Sequence, residues 1–255
     1  MTNNTGTNNN VLSADELREL KIFSESIAGD LILLSTIQRT ELTNTSIRQL
    51  LELDFPNNLS LELIGNEAKE AKDFLNQSML NLKENLTINT IDDLAVDFAN
   101  IYLVHTYQSS PYESVWLDEE SLLQQQPTFD IQKEYDKHHL QFNEKDRYAD
   151  HICLQLEFIA YLLNNTKSYD QLIEAGLFMD NHILRWVKLF SIRVAKHSLT
   201  EFYAGILVFI TEYLDQLRTL IVEITGQERI KPVVETEQAF KGIPLKFVPG
   251  VAKSW

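Results

Sequence analysis

Apolar residues recur at helical spacing almost from the start of this chain. Leu17, Leu20, Phe23, Ile27, Leu31 and Leu34 follow one another at intervals of three or four, the repeat that lines one face of an α-helix. Ser13 and Glu16 precede them as an S-x-x-E capping box, in which each side chain satisfies a backbone N–H that the first turn leaves without a partner. The pattern predicts a first helix over 13–37. Further helices are expected over 45–53, 61–84 and 92–103, the last with Leu94, Phe98, Ile101 and Tyr102 on its apolar face. Between Thr106 and Trp116 the periodicity fails. Ser109-Ser110-Pro111 reads as a loop there, because proline blocks helical continuation and restricts the residue before it. A short helix over 117–125, ended by Pro127, another over 128–138 and a polar link over 141–145 follow.

The second half is more regular. Over 147–163, Ile152, Leu156, Ile159 and Leu163 form one apolar stripe, and Leu154, Phe158 and Tyr161 lie roughly opposite. A helix apolar on both sides is normally buried between neighbours, so this is the expected central helix. Helices over 169–178, 181–196 and 199–224 complete the pattern, with Gly226 placed to cap the last of them. Nothing alternates with period two. The reading is an all-α, single-domain bundle of about nine or ten helices over 13–228. A polar tail over 1–12, expected to be disordered, precedes it. A C-terminal tail over 229–255 follows, whose Ile243, Leu245, Phe247, Val248 and Trp255 suit docking on the bundle or meeting a partner.

Composition agrees with long helices and few turns: the 255 residues include only 8 glycines and 6 prolines. The net charge of −15 disfavours nucleic acid and anionic membranes as partners. It leaves open whether the charge serves solubility or a basic peptide. The single cysteine, Cys153, permits no intramolecular disulfide, fits a reducing compartment and sits in an apolar run as a small core residue. The N-terminus has no basic start or apolar stretch, and the longest apolar runs are too short to span a bilayer, so a cytoplasmic protein without membrane insertion is expected.

Catalytic signals are missing from the sequence. It contains no phosphate-binding loop, dinucleotide turn, H-E-x-x-H or paired Glu-x-x-His, and one cysteine cannot build a cysteine zinc site. Asp150-His151 reverses the His-Asp dipeptide of helical metal-dependent phosphohydrolases. The expectation is a non-enzyme with no cofactor and no metal. Of the histidines, His138 and His139 read as solvent-facing, His105 and His197 as boundary residues, and His182 as opening a helix. By themselves the residues favour a structural Asp150-His151, with Asp150 capping the central helix and His151 hydrogen-bonded nearby. Glu113, Asp118, Glu119, Glu120, Glu144, Asp146 and Asp150 also crowd together in sequence. They form either a solvated rim or a groove for guanidinium groups, with Tyr112 and Trp116 as its apolar floor.

Three ordered segments resemble the TorD-like chaperone family, which also takes in DmsD and, more distantly, NarJ. Pro111-Tyr112-Glu113-Ser114-Val115-Trp116 is similar to its P-Y-E-S-V-[YW] loop. The run from Asp150-His151 to Tyr161-Leu162 is similar to its D-H-x-x-x-E-L-x-F-[MI]-x-x-L helix. His182-Ile183, Trp186 and Phe190, then Phe202-Tyr203, follow its H-[IL]-x-x-W-x-x-x-F spacing and later F-Y pair. Two positions depart: Ala149 stands where the family usually has proline, and Gln155 where it commonly has glutamate. The resemblance implies a helical chaperone that binds the twin-arginine leader, and often the apo form, of a molybdopterin-dependent oxidoreductase until its cofactor is inserted. It maps Asp150 and His151, with Tyr112 and Trp116, to the peptide-binding region. Glu113 and Glu157 complete the candidate peptide-binding set. A helical interaction module with another client, or a metal-dependent hydrolase, are the competing readings. Monomer and helix-swapped dimer both remain open.

Overall fold

Helix α1 (Ala14–Arg39) starts where the capping box puts it: the Ser13 backbone N–H donates to Glu16 Oε2 (2.8 Å) and the Glu16 N–H to Ser13 Oγ (3.2 Å). It belongs to a computed structural model that describes residues 12–104, 107–141 and 147–230. The two tails, except for Leu12 and residues 229–230, lie outside the described residues, as do His105 and most of the expected polar link, with Glu144 and Asp146.

Nine more helices follow: α2 (Asn44–Glu52), α3 (Asn66–Glu84), α4 (Ile88–Phe98), α5 (Glu113–Leu117), α6 (Gln126–Lys137), α7 (Ile152–Asn164), α8 (Tyr169–Asn181), α9 (Val187–His197) and α10 (Glu201–Thr225). A π-helical turn, Ala99–Leu103, extends α4, and a 3₁₀ turn, Ile183–Arg185, links α8 to α9. No strand occurs among the described residues, so the fold is all-helical as expected; one isolated bridge pairs Tyr112 with His151.

Several boundaries differ from the sequence expectation. The 61–84 helix begins only at Asn66, because Asp30 of α1 accepts the N–H groups of Ser60 (2.7 Å) and Leu61 (3.3 Å) and holds that stretch non-helical. The 92–103 helix begins earlier, at Ile88, where Thr87 caps the N–H of Thr90. Of the expected helix over 117–125 only Leu117 is helical, as the end of α5; residues 118–125 form turns and bends, since Asp118 leaves helical geometry. Trp116, expected in a loop, lies in α5. Pro127 opens α6 instead of ending a helix, which suits a first-turn position whose missing N–H has no intrahelical partner anyway. The 181–196 helix is broken at Trp186, and His182 closes α8 rather than opening α9. Gly226 does cap α10: its φ of 73° is the left-handed conformation glycine tolerates, and its N–H reaches Val222 O at 2.7 Å.

Helix α7 is the expected central element. Ten of its thirteen residues are buried, between α1 on one side and α8 on another. Helix α10 organises the other half, packing on α3, α9 and α8. Helix α8 touches both, so one apolar cluster runs continuously from Leu20 to Ile221. Cys153 is buried within α7, and burial pushes its thiol up to about 12, so it is the inert core residue its neighbours suggested.

Candidate functional site

The three segments singled out in the sequence meet at one point. Pro111 carbonyl accepts the Ile152 N–H (2.8 Å), and Glu113 N–H donates to the Asp150 carbonyl (3.1 Å), so the loop before α5 is laced to the start of α7. Asp150 Oδ2 accepts the Ser114 N–H at 2.9 Å. The third segment joins through His182, whose Nδ1 lies 3.1 Å from Glu113 Oε1. Gln155 completes the knot: its amide donates to Glu113 Oε2 (3.0 Å) and to the Asp150 carbonyl (2.9 Å). A glutamate at 155 would set a second carboxylate against Glu113, whereas the amide supplies a donor there.

This geometry corrects two expectations. Asp150 does not cap its own helix; it caps the first turn of α5, 36 residues earlier in the chain. The cap of α7 is His151, whose Nδ1 accepts the Cys153 N–H at 3.2 Å while its ring meets Tyr112 edge-on at 4.9 Å. Nor do Glu113 and Asp150 line an open acidic rim, since both are fully buried, and Tyr112 and His151 nearly so. Trp116 is half-buried, its indole N–H donating to the Ser110 carbonyl (2.8 Å) and its ring facing Phe190. Glu157 sits apart, at the α1–α7 contact, where Arg39 reaches both its oxygens at 2.6 Å and Ser35 donates to one at 2.8 Å. Asp150 Oδ1, Ser114 Oγ and Gln155 Oε1 have no hydrogen-bond partner among the described residues. The network is thus a buried junction rather than an exposed contact surface.

Burial raises the Glu113 carboxyl above the ordinary carboxylate range, with the hydrogen bond from His182 opposing it. A group whose folded pKa is raised stabilises the fold most below its unfolded pKa, and this contribution is lost as pH rises through the folded value. The melting temperature of the native chain relative to Glu113→Gln should therefore be most favourable near pH 4 and decline toward neutral pH. Paired thermal melts across that range measure it; a constant difference would mean that Glu113 titrates alike in both states.

The accessible counterpart of this junction is a groove of about 250 Å³ between α6, α7 and α8. Phe158, Leu162 and Phe178 form its buried floor and the half-buried Ile173 and Leu177 its wall. Glu134, Asp170 and Glu174 stand around it, with Lys137 on Glu134 (2.7 Å) and His138 on Glu174 (3.0 Å). His182 lines its inner end, so the side chain that holds Glu113 also faces the groove. A second cleft, of about 420 Å³ between α1 and α2, is mainly aliphatic with Glu52 its one carboxylate. Carboxylates around an aromatic floor are thus found on α6 and α8.

Other buried charges escaped the sequence reading: Asp30, Asp97 and the Asp180–Arg218 pair are all buried and held by hydrogen bonds. A signal existed. Asp97 lies three after Leu94 and four before Ile101, and Arg218 three before Ile221, so each is a charge at a core-facing register.

Comparison with known proteins gives concordant matches. The family model described as the nitrate reductase delta subunit matches residues 62–191, a span that contains the Pro111–Trp116 loop, Asp150-His151 and His182–Trp186. The chaperone protein TorD of Aliivibrio salmonicida is 27% identical over 215 residues, which cover 78% of this chain and 96% of that protein. TorD of Aliivibrio fischeri is 26% identical over 218 residues, covering 78% and 95% respectively. TorD of Vibrio vulnificus is 28% identical over a shorter stretch of 120 residues, covering 44% and 56%.

Proposed function

The chain belongs to the nitrate reductase delta subunit family, and from that premise we propose that it is a TorD-like maturation chaperone whose α6–α8 groove takes the basic and apolar leader of its client. A redox-enzyme maturation chaperone binds a molybdoenzyme precursor and makes no bond in it, so its chemistry is recognition rather than catalysis. The observation that carries the reading is the similarity to TorD along nearly the whole length of that protein.

A twin-arginine leader has guanidinium groups beside an apolar stretch. Guanidinium is best held by carboxylates in charge-assisted, often bidentate hydrogen bonds, and the apolar stretch by a preformed hydrophobic wall. Glu134, Asp170 and Glu174 around Phe158, Ile173 and Leu177 supply both. In this reading Tyr112, Glu113, Asp150 and His151 are positioning residues: they are buried, and they fix His182 and the start of α7 behind the groove. Trp116 and Glu157 support the same junction from its edges. The work is done in the cytoplasm, before the client is exported.

The test is calorimetric titration of the purified chain with the twin-arginine leader of a molybdoenzyme encoded beside it, against a two-lysine version. Saturable binding is expected, weakened by the lysines and about tenfold weaker in Glu134→Gln/Glu174→Gln, the size of one lost charged contact of about 1.4 kcal/mol. No binding, or binding indifferent to both changes, would remove leader recognition from this groove.

A further inference from the structure

We infer that the groove between α6, α7 and α8 is the docking site of this chain's own C-terminal segment, residues 239–255. The argument starts from where the described chain leads. After α10, Arg218 donates to the carbonyls of Gln227 and Glu228, and the Ile230 N–H donates to Asp180 Oδ2 at 2.9 Å. The backbone is thereby fastened to the last turn of α8, one residue from Asn181 and two from His182, which line the groove. The last described residue before the remaining 25 therefore lies against the C-terminal turn of α8, the helix whose Asn181 and preceding turns line the groove.

Their chemistry fits it. Residues 239–255 carry Lys241, Lys246 and Lys253 and no acidic residue, in a chain of net charge −15. Phe240, Ile243, Leu245, Phe247, Val248 and Trp255 alternate with those lysines. Cations spaced among large apolar side chains complement a groove of carboxylates over an aromatic and aliphatic floor. Pro244 and Pro249 disfavour a helix and suit an extended course along α8. Length is no obstacle: residues 231–238 reach up to about 27 Å when extended. The groove's course along α8 from Asn181 to Asp170 is about 16 Å. The aliphatic α1–α2 cleft, with its single carboxylate, offers the lysines far less.

Docking would make the segment an internal competitor for any basic, apolar peptide; that consequence rests on the function proposed above, whereas the docking itself does not. The test is zero-length carbodiimide cross-linking of the full chain, read by mass spectrometry, on an equal mixture of ¹⁴N- and ¹⁵N-labelled protein. Links from Lys241, Lys246 or Lys253 to Glu134, Asp170 or Glu174 within one isotopic chain are expected. They should fall at least fivefold in Leu177→Arg, which puts a cation in the groove wall. Phe240→Ser/Phe247→Ser should do the same without altering the bundle. Links scattered evenly over other carboxylates, mixed-isotope links, or none would overturn the inference; mixed-isotope links would make the occupant a second copy. Groove links that an added leader peptide does not displace would uphold the docking and count instead against leader binding there.

Discussion

Replacing Arg218 by alanine is expected to cost about 3–5 kcal/mol of stability, because it leaves Asp180 as a lone carboxylate in the core. The guanidinium is fully buried and grips Asp180 with two bonds, Nε to Oδ1 at 3.0 Å and Nη2 to Oδ2 at 2.8 Å. Its remaining donors reach the carbonyls of Gln227 and Glu228. The fold leaves room for it by placing glycine on the facing helix: a Cβ at Gly176 would sit 3.3 Å from the guanidinium carbon. Removing one partner of such a pair does far more harm than removing both, since the desolvation cost of the survivor stays while its compensation goes. For a domain of this size the loss corresponds to a fall of about 10 °C in melting temperature. Arg218→Met/Asp180→Leu, which replaces the pair with apolar volume, should recover most of it. A single variant melting within a few degrees of the native chain would mean that the carboxylate finds water.

Asp97→Ala should cost about 3 kcal/mol for a different reason: it uncaps α10 from a distance. Thr200, the residue before that helix, makes no side-chain cap of its own. Asp97 of α4 supplies one instead, Oδ1 accepting the Leu199 N–H (2.9 Å) and Oδ2 the Thr200 N–H and hydroxyl (both 2.6 Å). A carboxylate at a helix N-terminus satisfies orphan donors and meets the positive end of the dipole together. Asp97→Asn should recover only part of the loss, since its NH₂ group faces donors. A second readout separates this from general damage. Tyr107 donates to Asp97 at 2.9 Å, and its hydroxyl is pushed up to about 12, first by burial and then by the Asp97 charge. In Asp97→Ala the ultraviolet titration of Tyr107 should move back toward the ordinary tyrosine range. An unmoved titration with unchanged melting would show that Asp97 does not carry the cap.

These two sites mark the boundary of what can be read along the chain. The Ser13–Glu16 box, the Gly226 cap, the double stripe of α7 and the burial of Cys153 were legible, because each depends on neighbours within a few residues. The resemblance carried by the Pro111–Trp116 loop, Asp150-His151 and His182 was legible as well, and it led to the right family. What those residues touch was not. Asp150 read as the cap of its own helix because a carboxylate before an apolar run normally is one; only the folded chain brings the Ser114 N–H to it. Asp30 stops a helix from starting at Leu61 by taking amides some 30 residues away, which no local propensity can announce.

The sequence by itself therefore determined most of the helices, their apolar faces, the all-α class and the family, all set by periodicity, caps and short ordered motifs. The tertiary structure alone decided which charges are buried, that the motif residues form an internal junction, and that the acid-rimmed groove lies on α6 and α8. The physical reason is that a buried charge persists only with partners from elsewhere in the chain. Those partners lie 36 residues away for Asp150, 38 for Asp180 and more than 100 for Asp97.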